Sequence, residues 1–395
     1  MGHPAPPNST SSLAPLSLWK TQRLDVLAWI LALKAALLAC VYALAVRAPG
    51  LFQVENYQAN LHWSEGPPGV ADWFSTWDGM HYLYLSEHGY VPGHPTTAFY
   101  PLWPLLIRCV STLLGSHTLI AALLASNLSS ACALWLMYRL VREQGGSSPA
   151  ASTILLLFYP GALFFMFPYT ESLYLLLSVG LFYLLLQGHD RGAAAAIFLL
   201  TLTRAVGVFG AVPLAYQLVI QRNAEGKRRI FREGWLLLAA PAALVLQFSV
   251  MYLFTGDAFT GVRVQRGFAA LASVARFLEP LRFAHAYLDV RALHGFEYSL
   301  LDRLWFTLAL ALLPLVYRIS RPMFWYTLAV GSFSAVTTDF ISFTRYCSVL
   351  FPVFIAAGNL LTRKWTKLVL LLVVLSFVLL QLVFVFHHVR FLWVG

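Results

Sequence analysis

Charge is what this sequence has least of. Asp, Glu, Lys and Arg make up 11% of its 395 residues, against 59% hydrophobic residues. A soluble domain carries about 25% charged residues, so a chain that faces water over its whole surface is excluded. Cysteine is scarce as well. Cys40, Cys109, Cys132 and Cys347 all stand in apolar stretches, and no two form a Cys-x-x-Cys pair. That leaves small buried hydrophobes in preference to a disulfide framework or a metal site. The sequence has no glycine-rich loop to cradle a nucleotide phosphate and no internal repeat. It also has no basic arm interleaved with aromatics, so nucleic acid is not an expected partner.

What is present is long apolar runs. Residues 366–387 hold a single charge, Lys367. About 20 apolar residues cross a bilayer, and this run lacks the polar stripe of a water-facing helix. About eleven segments of this kind are predicted, at 24–46, 99–115, 118–141, 150–166, 169–187, 193–220, 235–254, 302–318, 322–339, 345–361 and 366–387. The expected fold class is all-α, a polytopic transmembrane helical bundle. Residues 1–17, polar and rich in Pro and Ser, read as a disordered cytoplasmic tail, and 18–395 as one integral-membrane domain. The run from Leu24 is long enough to be a first span and not a cleaved signal.

The net charge of +10 reads first as cytoplasmic-loop charge. Four basic clusters fall on one side if the N-terminus is cytoplasmic and eleven spans follow. They are Lys20 with Arg23; Arg222, Lys227, Arg228, Arg229 and Arg232; Arg318 with Arg321; and Arg363, Lys364 and Lys367. Arg139 and Arg142 fall on the wrong side of that count, which points to a re-entrant segment between 99 and 187. Two long stretches, 47–98 and 255–301, are left outside.

The first of these is unlike the rest of the chain. It holds Glu55, Glu65, Asp72, Asp78 and Glu87 against Arg47 alone, together with His62, His81, His88 and His94 and nine aromatics from Phe52 to Tyr90. Acids, imidazoles and aromatics beside a membrane suit a sugar site, because rings stack on pyranoses and carboxylates accept or remove hydroxyl protons. On a helix, Asp78, His81 and Tyr82 share one face, and Trp73, Trp77 and Tyr84 fit an amphipathic helix lying in the interface. An aromatic belt explains the Trp and Tyr residues equally well, but not Asp78 or the histidines.

WDGMHYLYLSEHGY (77–90) followed by AFYPLWPLL (98–106) resembles the GPI mannosyltransferase II (PIG-V-like) family and its prokaryotic relatives. FPYTESLYLLLSVG (167–180), TRAVG (203–207), TGDAFTGVRVQ (255–265) and FTRYCSVLFPVF (343–354) are similar to further stretches of those proteins, in the same order. Two positions depart from the family pattern: Thr76 stands where Arg usually precedes the Trp-Asp pair, and Ala258 where prokaryotic members have Pro. The resemblance implies an inverting GT-C glycosyltransferase. Such an enzyme takes a sugar, mannose by analogy, from a polyprenyl-phosphate donor to a lipid-linked or glycan acceptor at the exterior membrane face.

The expected catalytic residues are Asp78 as general base, His81 as its rival or orienter, and Glu171. The alternative for Glu171 is a helix N-terminal carboxylate beside a Thr170 cap. Trp77, Tyr82, Arg204, Asp257, Gln265 and Arg345 are the expected donor- and acceptor-binding residues. Arg204 and Arg345 could hold the donor phosphate bidentately, or instead pair with Glu171 or Asp339, or snorkel. The arginines of 255–301 could meet lipid headgroups or simply be solvated. Lys34 reads as a buried partner or a snorkelling side chain, and His387 and His388 as interfacial. No cofactor or metal is expected. The partners are the lipid-linked donor, the acceptor and membrane lipids, and the expected location is a prokaryotic plasma membrane. A transporter or lipid-carrier flippase is the rival function, but it would spread its ionisable groups along a midplane path.

An exterior first loop is testable in intact cells. With the four native cysteines removed, Ser64→Cys is expected to react with a membrane-impermeant thiol reagent before lysis. Labelling only after lysis would put the loop on the other side.

Overall fold

The computed structural model describes residues 16–64, 66–145, 148–219, 232–265, 273–362 and 366–395. The N-terminal tail to residue 15, most of the basic loop at 221–234, Arg266 and the Arg363–Lys364 pair lie outside them, as do the side chains of Lys20 and Arg23.

The described residues are mostly helical and contain no strand. The first half of the chain runs through α1 (Leu16–Arg47), α2 (Val54–Gln58), α3 (Asp78–His88), α4 (Leu102–Leu113), α5 (Thr118–Glu143), α6 (Pro149–Phe158), α7 (Glu171–Leu186), α8 (Asp190–Thr203) and α9 (Ala211–Val219). The second half adds α10 (Ala239–Thr255), α11 (Thr260–Gln265), α12 (Pro280–Leu288), α13 (Leu300–Ile319), α14 (Arg321–Thr338), α15 (Phe343–Cys347), α16 (Phe351–Leu361) and α17 (Lys367–His388). Among the described residues, five stretches are long and apolar enough to cross a membrane: Val26–Arg47, Thr118–Glu143, Gly234–Thr255, Leu300–Ile319 and Lys367–His388. Shorter apolar helices complete an all-α polytopic bundle.

Two of the expected spans take another course. At 1.5 Å per residue, α4 is about 18 Å long, well short of the ~30 Å hydrocarbon core. Its Trp103 and Ile107 pack with Ala122 and Ala125 of α5, and Ser111 meets Thr118 at 3.4 Å. The segment 99–115 therefore lies back along the start of α5, and its helix is too short to span a bilayer unaided. The segment 193–220 does the opposite and folds into a hairpin. Gln217 near its end reaches the Leu185 carbonyl at 3.3 Å and Asp190 at 3.4 Å, back where α8 begins. Gly207 permits the tight apex, because a Cβ there would run into the backbone of Leu200. The two changes together resolve the misfit of Arg139 and Arg142. Glu143, at the same end of α5, accepts bonds from Tyr183 at 3.0 Å and Gln187 at 2.7 Å, at the end of α7 remote from Glu171.

The re-entrant feature expected between 99 and 187 is a helix break. Helix α6 stops before Pro160, a 3₁₀ turn runs from Pro160 to Phe165, and α7 starts only at Glu171. Non-helical backbone at membrane depth must find partners in neighbouring protein, and here several of the open carbonyls do. Phe165 O accepts from Lys34 of α1, Ser130 of α5 and Ser172 of α7. Asn127 donates to Met166 O at 3.0 Å and Ser126 to Phe167 O at 2.6 Å. Gln381 of α17 reaches the Leu157 and Tyr159 carbonyls. Ser126, Asn127 and Ser130 thus form a short polar stripe on an otherwise apolar helix. Lys34 is a buried carbonyl donor and does not snorkel.

Asn127→Leu keeps the volume and removes the donor to Met166 O. The thermal unfolding midpoint in detergent is expected to fall by an amount equivalent to about 1–2 kcal/mol. An unchanged midpoint would mean that the break does not depend on this stripe.

Candidate active site at the open end of the bundle

Four charged residues from four separate elements meet at one end of the bundle. Asp78 opens α3. Glu171 opens α7 at the end of the break. Arg204 is the apex of the α8–α9 hairpin. Arg345 sits in the five-residue α15. Arg345 donates from Nε to Glu171 Oε1 at 2.6 Å and from Nη1 to Asp78 Oδ2 at 2.5 Å. Arg204 Nη1 pairs with the same Glu171 oxygen and donates to Thr170 Oγ1 at 3.2 Å. The Thr170 hydroxyl donates in turn to Glu171 Oε2 at 3.4 Å. Two carboxylates and two guanidiniums form a cluster with no net charge.

Local backbone explains how each member arrives. Trp77, just before Asp78, lies in the left-handed region at φ 52, which costs about 1–3 kcal/mol for a non-glycine residue. Its surroundings over-determine it. The Tyr169 hydroxyl donates to Thr76 O at 2.9 Å, Thr76 Oγ1 lies 3.0 Å from His388 Nε2, and the Trp77 indole donates to Leu392 O at 3.3 Å. The Trp77 ring packs on Phe391 and Trp393. Arg345 follows a turn in which Asp339, Phe340 and Ser342 all have positive φ. Rings then hold the guanidiniums in plane. Arg345 lies over Tyr169 at 4.7 Å and Phe164 at 5.1 Å, and Arg204 over Tyr346 at 5.0 Å.

Accessibility grades the cluster. Side-chain exposure rises from 0% at Glu171 through 7% at Arg345 and 18% at Arg204 to 32% at Asp78. Asp78 and the edge of Arg204 are the members of the cluster that stand most open to the outside. Glu171, with both oxygens engaged, is placed to hold two guanidiniums together and not to meet a substrate. That corresponds to the pairing alternative raised for Arg204 and Arg345.

The other expected site residues are distributed around this centre. Tyr82 is buried, edge-on to Phe99 and Tyr169, and burial holds its phenol above the ordinary range, so it stays neutral. His81 rests against Phe99; burial lowers it to about 4, so its ring is uncharged at neutral pH. Trp77 spends its ring and its N–H on the C-terminal segment, and Trp73 is core beside Phe52, not part of an interfacial face. Asp257 caps α11 through Phe259 N and Thr260 Oγ1 and pairs with Arg263. Gln265 reaches Ala98 O at 3.3 Å and so braces the 95–98 turn; neither residue joins the cluster. Asp339 binds Arg276 and Arg282. His388 is buried between Phe164, Phe167 and Tyr169, which replaces the interfacial expectation. Thr170, Tyr169, Tyr346 and Lys34's acceptor were not legible as a set, although the unbroken YTE triplet ahead of α7 was a signal. Among the described residues no group of three or more His, Cys, Asp or Glu could hold a metal ion.

Fold and site define a polytopic membrane protein with an ion-paired polar centre at one face. A model of the family described as mannosyltransferase (PIG-V) matches residues 69–253, just under half of the chain. Asp78, Glu171 and Arg204 lie inside the matched stretch, while Asp257, Gln265 and Arg345 lie beyond it. A solved structure of the archaeal oligosaccharyltransferase AglB from Archaeoglobus fulgidus, in complex with an inhibitory peptide and a dolichol-phosphate, is similar at a TM-score of 0.47 and 13% identity. The likeness covers 95% of this chain and 56% of that one. No curated protein matches the chain.

Glu171→Gln is expected to be poorly tolerated. It leaves two buried guanidiniums without their shared anion, a loss on the order of 3–5 kcal/mol for a broken buried pair. Purified yield and unfolding midpoint are the measurements, and wild-type values for both would remove Glu171 from its place as anchor.

Proposed function

We propose that the protein transfers a sugar, mannose, from a polyprenyl-phosphate donor to a hydroxyl of a lipid-linked or glycan acceptor at the exterior membrane face. The observation that carries this reading is the half-exposed Asp78 carboxylate 2.5 Å from Arg345, at the mouth of an otherwise buried two-arginine centre. Transfer requires an acceptor oxygen to attack the anomeric carbon while the bond from that carbon to the phosphate oxygen breaks. Asp78 takes the acceptor proton, and the electron pair of the broken bond leaves on the polyprenyl phosphate. A single displacement of this kind inverts the anomeric configuration.

The arginines suit the leaving group. A planar guanidinium recognises phosphate bidentately, and the Arg345 nitrogen that now binds Asp78 faces the open side of the cluster. Donor phosphate competing for that nitrogen frees the carboxylate to act as base. The aromatic walls from Phe99, Tyr82 and Tyr169 exclude water and fit a sugar ring. A lipid-carried donor agrees with the location, since a nucleotide-sugar site is not indicated by any phosphate-cradling loop in the sequence.

The direct test incubates purified protein with polyprenyl-phosphate mannose and a membrane lipid extract, followed by mass analysis of the lipids. Asp78→Asn keeps shape and hydrogen bonding but cannot take a proton, so turnover is expected to fall about 10²–10⁴-fold while donor binding persists. Near-normal turnover in Asp78→Asn together with loss in His81→Ala would transfer the role of base to His81.

A further inference from the structure

Helix α15 is five residues long and follows a turn of left-handed residues, so its own backbone does little to fix Arg345. Its neighbour Thr344 is held instead. The Thr344 N–H and hydroxyl both donate to one oxygen of Asp302, Oδ1, at 2.6 Å each. On its other side the Thr344 carbonyl rests on Gly161, where any Cβ would overlap it. Asp302 itself is fixed at the start of α13. Its N–H donates to Ser299 Oγ at 3.3 Å, and His294 Nδ1 lies 3.1 Å from the same hydroxyl. Asp302, Ser299 and Thr344 are all buried. An unbroken chain of contacts thus runs from His294, in the second long loop, to the residue beside Arg345.

We infer that Asp302 is a positioning residue for Arg345, acting through the backbone and hydroxyl of Thr344. The inference rests on the transferase reading of the Asp78–Arg345 centre. The anchored group is one whose aim matters: Arg345 must point Nε at Glu171 and Nη1 at Asp78 together, and a shift of about 1 Å at a reacting centre can cost 10²-fold in rate. Both Thr344 donors converge on one Asp302 oxygen, and the second oxygen is buried without a hydrogen-bond partner. An amide oxygen at that position therefore accepts the same two bonds.

The test is a double-variant cycle on the full chain, read as kcat/KM for polyprenyl-phosphate mannose with the lipid extract as acceptor. Asp302→Ala is expected to lower it about 10–100-fold, Asp302→Asn to restore most of it, and Thr344→Ser to leave it unchanged. In an Arg345→Lys background the Ala substitution is expected to add little, because the group it aims is already altered. Full additivity of the two losses overturns the inference, as does failure of Asn to rescue. Thr344→Val, which removes only the hydroxyl, takes the place of Asp302→Ala if that variant does not accumulate. The same cycle is followed by unfolding midpoint, which needs no activity. An inactive wild-type chain overturns the functional reading alone. In that case additive midpoint shifts overturn the positioning role, and coupled shifts sustain it.

Discussion

One carboxylate organises this molecule. Glu171 is fully buried and is shared by two guanidiniums, one of which also binds Asp78. Separating any of these ions from its partners inside a bundle costs several kcal/mol, so the four elements that supply them cannot drift apart independently. The cluster is neutral as a whole, which makes its burial tolerable, and it is open on one side only. The rest of the fold can be understood as what is required to bring two anions and two cations, widely separated in sequence, to one depth at one end of an apolar bundle.

That requirement explains why the helices are broken where they are. Each member of the cluster stands at a terminus: Asp78 after the left-handed Trp77, Glu171 after the 159–170 break, Arg204 at a hairpin apex, Arg345 after the left-handed turn at 339–342. Helix ends place side chains at an end of the bundle, where the cluster opens. A helix that starts leaves N–H groups unpaired and one that stops leaves backbone carbonyls, and the hydrocarbon can satisfy neither. The polar residues scattered through apolar helices, Lys34, Ser126, Asn127, Ser130 and Gln381, lie against those carbonyls. Site and scaffold therefore share one constraint: the chemistry needs breaks, and the breaks need donors from neighbouring helices.

The sequence made the class, the acidic aromatic loop and the charged residues Asp78, Glu171, Arg204 and Arg345 visible, because ionisable groups in apolar surroundings stand out on composition alone. Their pairing did not stand out. Glu171 meets Arg204 across 33 residues and Arg345 across 174, and Arg345 meets Asp78 across 267, distances over which no periodicity reports contact. The path of the chain was misread for a related reason. An apolar run records that a segment avoids water, not whether it crosses, returns or folds in two. Hence 99–115 was taken as a span, and 193–220 as one span instead of a hairpin. The contacts of Trp77 with Phe391, Trp393 and Leu392, which support the turn that delivers Asp78, were not visible in the sequence either. Nor did the sequence show that Asp257 caps a short helix and that Gln265 reaches Ala98, away from the four-ion cluster.

The choice of cation at each buried position follows from geometry. Lys34 faces one carbonyl, Phe165 O, and a single ammonium suffices. Arg345 must bridge two carboxylates lying in different directions while stacking on Tyr169 and Phe164, which a rigid planar fork with separate donors can do and a point charge on a flexible stem cannot. Arg204 must share an oxygen with Arg345 while bonding Thr170 and lying over Tyr346. In both cases the guanidinium keeps N–H groups beyond those its carboxylates use. On the functional reading proposed above, those remaining donors are where the donor phosphate first binds, before it competes with Asp78 for the Arg345 nitrogen.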